Sequence, residues 1–478
     1  MLNNKDIFRK YDIRGIYGDA LTDGVAENAA KAFAGQVISE TGKSTPVISV
    51  GRDVRFSSET LFKSVCKGLT DSGVDVVDLG VCPSPLTYFS MYTENTDGYV
   101  MVTGSHNPPE FNGIKVGTKN TIYHSEKIQQ IYHDIIEGDY CEPEKSGIVK
   151  KVDIIPAYIS YMKRHFSKLK EEIAKLNKIK IVLDSGSGTA SMVAPEIFRW
   201  LGVELYSLYC TPDGSFPGHH PDPTVEKNMQ DAKTVLLENG AALAIGFDGD
   251  ADRLGALNCK GEMLWGDQLL GIFASGICEN HPGEKVVADV KASKGLYEYI
   301  ENIGMKSVMY LSGHSMIKEK MKQEGAVLGG EMSAHFFFAD RYFGYDDGIY
   351  ASVRLLEVYV NKIKNGEIIN SGQLDKLPVY FNTPEIRIPC PDNAKFELIK
   401  RLEYKFAGYL SKGLYGIKEI ISIDGIRIHF EKGWALVRAS NTEQLIVKRY
   451  EAETEDAFLM IMDFMNSKIK ETEDDLQK

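Results

Sequence analysis

Three segments of the chain repeat one alternation of apolar and polar residues: a short apolar run, a polar loop, a helical stretch and a second apolar run. Such runs predict β-strands, and the strand–helix–strand order predicts a parallel or mixed sheet covered by helices. A glycine near the end of each helical stretch is typical of a left-handed helix cap. The segments are 47–80, 179–209 and 284–313. Although α/β domains in general share this pattern, it favours three related domains.

The C-terminal part of the chain follows a different pattern, in which short apolar runs alternate with turn residues. Asp424-Gly425 and Lys432-Gly433 are typical of tight turns between antiparallel strands. The predicted strands are Pro384–Pro389, Glu419–Asp424, Ile426–Glu431, Trp434–Arg438 and Leu445–Glu451, and the predicted helices are 393–410 and 457–470. We therefore expect a last domain of α+β type with an antiparallel sheet.

These patterns divide the chain of 478 residues into four expected domains. Three similar α/β domains with mixed sheets are expected at 1–150, 151–260 and 261–372, and the α+β domain at 373–478. The polar stretch 365–375 is the expected linker to the last domain. The acidic residues 471–478 are expected to fray.

Composition changes this picture little, with 43% hydrophobic and 26% charged residues, as in soluble globular proteins. The net charge of −12 argues against nucleic acid or an anionic membrane as a partner, although a few arginines can still bind phosphate. We expect no membrane span and no signal peptide, because no apolar run has the required length or position. Seven scattered cysteines without a CxxC pair disfavour a disulfide framework or structural zinc and favour the cytoplasm. No obligate protein partner is indicated.

The strongest local signal is the segment TGSHNPPEFNGIK, which follows an apolar run ending at Val102. Gly104 permits a tight turn and the prolines restrict the backbone, so the Ser105 hydroxyl is fixed, and Lys115 follows in the same segment. A serine that carries a phosphoryl group needs such a rigid position. A turn of proline and asparagine with an incidental serine would show the same pattern.

A second signal is GFDGDADR, in which Asp248, Asp250 and Asp252 alternate directly after an apolar run. Oxygen ligands at this spacing in a turn can converge on a hard cation such as Mg²⁺. An EF-hand would need glycine and glutamate at the sixth and twelfth loop positions, where Arg253 and Cys259 stand, so that motif is excluded. A solvated acidic turn is the alternative.

A third cluster places Glu331, Ser333 and His335 at alternate positions in the segment GEMSAH. Three hydrogen-bonding side chains in a loop can bind the hydroxyl groups of a sugar. A half-buried strand whose polar residues face water would show the same pattern.

A fourth cluster, RASNT, lies between two predicted strands of the last domain. A guanidinium fork beside hydroxyl and amide groups suits phosphate, which arginine can bind through two hydrogen bonds. An ordinary strand connection is the alternative. The candidate phosphate ligands are Arg438, Ser440, Asn441 and Thr442.

Several further polar residues are weaker candidates when taken alone. His219-His220 could suggest a transition metal, but adjacent side chains rarely face one ion. The others follow predicted strands or lie in a basic, aromatic N-terminal segment: Tyr11, Arg14, Arg253, Lys291 and His314.

In combination, these segments resemble the α-D-phosphohexomutase superfamily over nearly the whole chain. TGSHNPPEFNGIK is similar to the family's phosphoserine loop, GFDGDADR to its Mg²⁺ loop, GEMSAH to its sugar-recognition loop and RASNT to its phosphate-binding loop, all in family order. With methionine at position 332, the GEMSAH loop resembles that of the bifunctional phosphomannomutase/phosphoglucomutase branch, whereas we expect glutamine at this position in phosphoglucosamine mutases. Ala334 departs from the glycine that is common in this branch.

The resemblance implies four domains around a central cleft, each contributing one loop. It also implies a phosphohexomutase that interconverts mannose 1-phosphate and mannose 6-phosphate, and the glucose equivalents. The implied route is a phosphoserine enzyme and a 1,6-bisphosphosugar intermediate. A small phosphosugar is then the substrate, Mg²⁺ the cofactor and glucose or mannose 1,6-bisphosphate the activator.

Residue roles follow from the same resemblance. The resemblance implies that Ser105 carries the phosphoryl group and that Ser105, Asp248, Asp250 and Asp252 hold Mg²⁺. The candidates for proton handling are Lys115, His335 and Arg14. The implied substrate ligands are Tyr11, Arg253, Lys291, His314, Glu331, Ser333, His335, Arg438, Ser440, Asn441 and Thr442.

Three alternatives stay open at this point. A phosphoglucosamine mutase would share most of these motifs. A phosphosugar-binding regulatory protein would share them without turnover. A haloacid-dehalogenase type of enzyme would carry phosphate on Asp248 and leave the Ser105 loop unexplained. Cleft closure, with its hinge near 365–375, is a further hypothesis.

Overall fold

The structure is a computed structural model that describes residues 5–367, 377–378, 380–440 and 444–476. It contains four sheets, and the predicted strand–helix–strand repeats are confirmed. In each repeat the two flanking strands pair in parallel. The α/β class with an α+β domain at the C-terminal end is also confirmed. The predicted domain boundaries stay predictions.

The first sheet is mixed and has the strand order β1-β5-β4-β2-β3-β6. Its elements are β1 (Ile13–Ile16), α1 (Asp23–Thr41), β2 (Val47–Arg52), α2 (Ser58–Asp71), β3 (Asp75–Val81), α3 (Ser84–Thr93), β4 (Gly98–Val102), β5 (Phe111–Thr118), α4 (Glu126–Glu137) and β6 (Val149–Lys151). Every residue of β4 is buried, as its apolar sequence predicts. The Ser105 loop therefore begins at the end of a central strand.

The second sheet has the order β11-β10-β9-β7-β8. Its elements are α5 (Ile154–His165), α6 (Ser167–Ile173), β7 (Lys180–Asp184), α7 (Ala194–Leu201), β8 (Glu204–Leu208), α8 (Gln230–Asn239), β9 (Leu243–Phe247), β10 (Leu254–Leu257) and β11 (Met263–Leu264). The three predicted carboxylates follow β9, another fully buried strand.

The third sheet has the order β13-β12-β14-β15. Its elements are α9 (Gly266–Ile277), β12 (Lys285–Asp289), α10 (Lys294–Asn302), β13 (Lys306–Tyr310), α11 (His314–Glu324), β14 (Leu328–Gly330), β15 (Phe336–Phe338) and α12 (Gly348–Lys364). The GEMSAH segment runs from the end of β14 towards β15.

The three sheets share one four-stranded unit. The orders β3-β2-β4-β5, β8-β7-β9-β10 and β13-β12-β14-β15 correspond strand by strand. In each, the third strand is parallel to the second and the fourth is antiparallel to the third. The Ser105 loop, the carboxylate loop and the GEMSAH loop all join the third strand to the fourth. The three predicted functional loops are therefore structural equivalents.

The C-terminal domain forms an antiparallel sheet with the order β16-β21-β20-β19-β18, and β17 also pairs with β21. Its elements are β16 (Phe381–Asn382), β17 (Ile386–Pro389), α13 (Asp392–Ser411), β18 (Ile417–Ile421), β19 (Ile426–Phe430), β20 (Gly433–Ala439), β21 (Leu445–Ala452) and α14 (Glu455–Leu476). The loop between β20 and β21 begins at Ser440, whereas Asn441 and Thr442 lie outside the described residues.

The predicted fraying from residue 471 is wrong, because α14 continues to Leu476. Thr472 is buried and its hydroxyl donates to the carbonyl oxygen of Lys468 at 2.8 Å. Glu471 accepts from the ammonium of Lys405 on α13 at 2.7 Å. Contacts with α13 hold the last turns, which the local charge pattern could not show. The predicted linker, 365–375, lies outside the described residues from 368 onward.

One buried hydrophobic cluster runs through the three α/β domains, whereas the C-terminal domain has its own. The hydroxyls of Tyr158 and Tyr342 both donate to the carboxylate of Asp347 at 2.8 Å, which ties the second domain to the third. None of the helices in the described residues combines the length and hydropathy needed to cross a bilayer. The shared core fixes the first three loops relative to one another.

The contact between α1 and α2 depends on Gly68. A Cβ atom there would lie 2.3 Å from the carbonyl oxygen of Glu27, so the helices would have to separate. We expect Gly68→Ala to lower the free energy of unfolding by about 1–3 kcal/mol. The matched control is Gly35→Ala in α1, where a Cβ atom would meet nothing within 4 Å. We expect this substitution to raise the free energy of unfolding by about 0.5–1 kcal/mol, because alanine favours the helix over glycine. Urea unfolding followed by circular dichroism measures both, and shifts of the same sign would contradict this account.

Candidate active site

Loops from different domains meet around Ser105. Its side-chain hydroxyl donates to Asp248 Oδ2 at 2.9 Å and lies 3.2 Å from His106 Nδ1. The residue is only 2% exposed, and its φ of 48° places it in the left-handed region. A non-glycine residue keeps such a strained backbone conformation only where the surrounding structure enforces it, and residues of this kind are common at functional sites. Ser105 is therefore held in one position beside the carboxylate loop.

The carboxylates of Asp248, Asp250 and Asp252 are all buried, and one oxygen of each lies within 4.8 Å of the others. Lys115 comes from the first domain and its ammonium donates to Asp250 at 2.7 Å and to Asp252 at 2.6 Å. The hydroxyl of Ser84, at the start of α3, also donates to Asp250. Two residues of the first domain thus orient the carboxylate loop of the second.

Burial and mutual repulsion divide the charge unevenly among these groups. Burial, with the negative charges of Asp252 and Asp250, raises the pKa of Asp248 well above its usual range. Burial alone would raise the pKa of Asp252, but Lys115 and His335 outweigh it and hold that pKa well below its usual range. Burial would likewise lower the pKa of Lys115, yet Asp250 and Asp252 raise it. Burial thus disfavours the ionised form of Asp248, whereas nearby positive charge favours the ionised form of Asp252.

The carboxylate cluster suits a hard divalent cation. Asp250 Oδ1 is buried and has no hydrogen-bond partner among the described residues. A buried charged oxygen without a partner is costly unless a ligand satisfies it. With Ser105 Oγ beside Asp248, the donor set consists of oxygen atoms alone, which is what such cations prefer.

His335 lies between two carboxylates. Its Nε2 is 3.3 Å from Asp252 Oδ1, and its Nδ1 is 3.2 Å from both Glu331 Oε2 and Ser333 Oγ. Burial would lower the pKa of His335, but Asp252 and Glu331 outweigh it and raise that pKa to about 9. Ala334, where glycine is common in the family it resembles, has a φ of 67°. The GEMSAH loop thus uses a left-handed turn to bring His335 to the carboxylate cluster.

His314 and Tyr11 continue the site away from Ser105. The His314 ring is 5.5 Å from the His335 ring and 5.9 Å from the Tyr11 ring, centre to centre. His314 Nδ1 lies 3.3 Å from Asp346 Oδ2. The Tyr11 hydroxyl donates to the carbonyl oxygen of Ser312 at 2.5 Å, which joins the first domain to the third.

Two further cations lie where the third and fourth domains meet. Lys291 Nζ is 2.7 Å from Glu385 Oε1 and 3.4 Å from Asp289 Oδ2. Arg438 Nε donates to Asp424 Oδ2 at 3.0 Å. Glu385 and Asp424 were not among the residues predicted from sequence. Asp424 stands in a turn dipeptide, so nothing local distinguished it from an ordinary hairpin residue.

The remaining predicted residues are placed as follows. Arg14 Nη1 donates to Asn107 Oδ1 in the Ser105 loop at 2.7 Å, and Arg253 Nε lies 3.8 Å from Asp248 Oδ2. Ser440 is buried at the end of β20. His219 Nε2 lies 2.9 Å from Asp184 Oδ2, so that histidine is engaged by its own domain. Together with the pairs Ser105–Asp248 and Asp252–His335, these contacts connect the Ser105 loop, the carboxylate loop and the GEMSAH loop.

Family models match all four parts of the chain, in order. Those described as phosphoglucomutase/phosphomannomutase alpha/beta/alpha domains I, II and III match residues 5–140, 156–261 and 265–372. The model of the C-terminal domain matches residues 385–467. The chain belongs to the phosphoglucomutase/phosphomannomutase family. The resemblance inferred from the four loops is confirmed, and the chain is an isomerase of this family.

The names of individual relatives agree with this family assignment. A phosphomannomutase/phosphoglucomutase of Pseudomonas aeruginosa is 37% identical over 470 residues, covering 98% of this chain and 96% of the relative. A phosphoglucomutase of Neisseria gonorrhoeae is 38% identical over 454 residues, covering 95% and 94%. A crystal structure of a family protein from Burkholderia thailandensis has a TM-score of 0.84 at 33% identity, covering 98% and 97%. The haloacid-dehalogenase alternative is rejected.

Proposed function

We propose that this enzyme interconverts mannose 1-phosphate and mannose 6-phosphate, and the corresponding glucose phosphates, with Ser105 as the phosphate carrier. One observation carries the proposal: the Ser105 hydroxyl lies 2.9 Å from Asp248, inside a cluster of three buried carboxylates. A phosphoryl group on this hydroxyl would lie beside carboxylates that can hold a cation, and a cation beside the phosphoryl group neutralises the charge that develops during transfer.

In the proposed cycle, the phosphorylated enzyme binds a hexose 1-phosphate. The bond from phosphorus to Ser105 Oγ breaks as the bond to the sugar O6 forms, and the proton of the O6 hydroxyl passes through the site to Ser105 Oγ, which becomes a hydroxyl. The 1,6-bisphosphosugar then reverses its orientation. The bond from phosphorus to O1 breaks as Ser105 Oγ takes the phosphoryl group back, and the proton of the serine hydroxyl passes to O1. This leaves the 6-phosphate and restores the phosphorylated enzyme.

Of the three candidates for proton handling, His335 has the strongest support. Lys115 is held as a cation by Asp250 and Asp252, and the guanidinium of Arg14 does not give up its proton in proteins. Asp252 and Glu331 raise the pKa of His335 to about 9, so it is protonated near neutral pH. An imidazolium, unlike a guanidinium, can donate its proton to the oxygen from which phosphorus departs and then recover a proton. We therefore assign proton transfer at the sugar hydroxyl to His335, with Lys115 and Arg14 stabilising negative charge.

Mg²⁺ is the proposed cofactor, and Ser105, Asp248, Asp250 and Asp252 would hold it. When bound, it supplies positive charge against the transferring phosphoryl group. Lys115 and Arg253 add fixed positive charge on the two sides of the carboxylates. Glucose or mannose 1,6-bisphosphate is the proposed activator, because it can phosphorylate Ser105 of an enzyme that has lost its phosphate.

The other ligands of the substrate are proposed by position. Lys291, Arg438 and Ser440, with Asn441 and Thr442 beyond the described residues, would bind the phosphate that is not being transferred. Glu331 and Ser333 would bind sugar hydroxyls, and Tyr11 and His314 would line the path between the two phosphate positions. Mannose and glucose differ at C2, so contacts that do not involve the C2 hydroxyl would allow phosphates of both sugars to bind.

The partner of the enzyme is a small phosphosugar, as its family implies, and we place the reaction in the cytoplasm. None of the seven cysteines, all of which lie in the described residues, is joined in a disulfide, and five are partly accessible. Thiols persist in reducing compartments, where disulfides are rare.

The proposal is tested by turnover of mannose 1-phosphate, glucose 1-phosphate and glucosamine 1-phosphate with Mg²⁺ and each bisphosphate. We expect both hexose 1-phosphates to be converted and glucosamine 1-phosphate to be a poor substrate. Faster turnover of glucosamine 1-phosphate would favour a phosphoglucosamine mutase. Binding without any turnover would indicate a regulatory protein.

Arg438 provides a test of phosphate binding. We expect Arg438→Ala to raise KM for mannose 1-phosphate by about 10–100-fold, because a charge-assisted pair of hydrogen bonds to phosphate is lost. Steady-state kinetics measure this, with Arg401→Ala as the control, since Arg401 pairs with Glu397 on the exposed surface of α13. An unchanged KM in Arg438→Ala would remove Arg438 from the phosphate site.

A further inference from the structure

The side chain of Arg55 is completely buried against the loop that carries Ser105. Its guanidinium donates to four backbone carbonyl oxygens of this one loop. Nη2 donates to Ser105 at 2.8 Å and to Asn107 at 2.6 Å, and Nη1 donates to Phe111 at 3.0 Å and to Pro108. One side chain thus binds the loop from Ser105 to its end.

Asp53, two residues earlier, completes this arrangement from the other side. Its Oδ2 accepts from Arg55 Nε at 3.0 Å, from the hydroxyl of Thr103 at 2.8 Å and from the amide of Gly104 at 3.1 Å. The hydroxyl oxygen of Thr103 in turn accepts from the amide of Ser105 at 2.8 Å. The amide of Ser105 is therefore fixed through Asp53 and its carbonyl through Arg55.

The space around the guanidinium is filled on both sides. A Cβ atom at Gly104 would lie 2.5 Å from Arg55 Nε, so the loop approaches as closely as glycine allows. On the side of the second domain, the ring of Phe216 lies 5.0 Å from the guanidinium carbon. The Arg55 guanidinium is enclosed by these groups, and its hydrogen bonds go to the loop backbone and to Asp53.

We propose that Arg55 is a positioning residue for phosphoryl transfer. By holding the carbonyl oxygens of the loop, it keeps Ser105 at its left-handed φ of 48° and its hydroxyl beside Asp248. Only a planar guanidinium offers enough donors in one plane to bind four carbonyls at once, because an ammonium has three on a single atom. The inference rests on the proposed function, since it takes Ser105 to be the phosphate carrier.

The test compares Arg55→Ala and Arg55→Lys in the full-length enzyme. We expect kcat to fall by about a hundredfold in both, because a small displacement of the reacting group costs this much. KM for mannose 1-phosphate should stay within about threefold of wild type, because the substrate ligands are untouched. Added guanidinium ion should restore part of the kcat of Arg55→Ala and none of that of Ser105→Ala. Phosphorus NMR of phosphorylated Arg55→Ala should show a shifted phosphoserine signal.

Arg52→Ala is the matched control. Arg52 ends β2, pairs with Glu59 and stacks on the ring of Phe62 at 4.7 Å. We expect its kcat to equal that of wild type. If Arg55→Ala does not fold, as judged by circular dichroism, Arg55→Lys carries the test and must show the same loss of kcat.

Three results would overturn the inference: a kcat within about threefold of wild type in the folded Arg55 variants, a KM that rises as much as kcat falls, or no response of folded Arg55→Ala to guanidinium. Ser105→Ala, assayed in parallel, separates these failures from a failure of the proposed function. Normal turnover by Ser105→Ala would refute Ser105 as the phosphate carrier. An inactive Ser105→Ala beside fully active Arg55 variants would refute only the role of Arg55.

Discussion

Replacing Ser105 by alanine is expected to lower kcat by at least about 10⁴-fold, since removal of a nucleophile leaves only binding and electrostatic effects. The Ser105 hydroxyl is the one group of the enzyme that accepts the phosphoryl group in the proposed cycle, and no other step can substitute for it. Binding should survive, because the ligands of the substrate lie on other residues. Isothermal titration with mannose 1-phosphate and a coupled turnover assay measure the two properties separately.

The control for this variant is Ser64→Ala. Ser64 lies on α2, and its hydroxyl donates to the carbonyl oxygen of Thr60 within the same helix. Its turnover should match that of wild type. A Ser105→Ala enzyme with substantial turnover would refute a serine carrier and leave the carboxylate loop as the place to search for the phosphate.

The second large effect is expected for Asp248→Asn. Loss of one carboxylate oxygen and one charge should weaken Mg²⁺ or Mn²⁺ binding by on the order of a hundredfold or more and reduce kcat accordingly. Burial raises the pKa of Asp248, so its ionised form destabilises the folded protein when no cation is present. The metal-free variant should therefore melt at a higher temperature than metal-free wild type, while its gain in melting temperature on adding Mg²⁺ should be small.

Titration calorimetry with Mn²⁺ and thermal melts with and without Mg²⁺ measure these effects. Glu238→Gln is the control, since Glu238 is an exposed acid on α8 in the same domain. It should leave both metal affinity and melting temperature unchanged. Wild-type metal affinity in Asp248→Asn would place the cation elsewhere.

Much of this fold could be predicted because each α/β repeat contains its pattern within a short stretch of sequence. The buried strands before Ser105 and Asp248 are apolar throughout, and the polar residues begin where each strand ends. The equivalence of the three loops is a property of strand order, which the local pattern does not encode. That the loops come together at one site was predicted from the family resemblance, because the spacing of the segments along the chain does not show it.

The residues that escaped prediction act through contacts between distant parts of the chain. Glu385 and Asp424 hold Lys291 and Arg438 in ion pairs, and Arg55 reaches a loop far along the sequence. Each lies beside an ordinary turn or strand end, so the residues next to it in the sequence do not indicate a functional role. The helical end of α14 escaped for the same reason, because α13 holds it.

The most direct test of the account is peptide-mapped phosphate on the purified enzyme before and after addition of mannose 1-phosphate. The account predicts phosphate on the peptide that contains Ser105, and its loss to the sugar as substrate is added. Phosphate on Asp248, or phosphate on Ser105 that stays in place while mannose 6-phosphate accumulates, would contradict it.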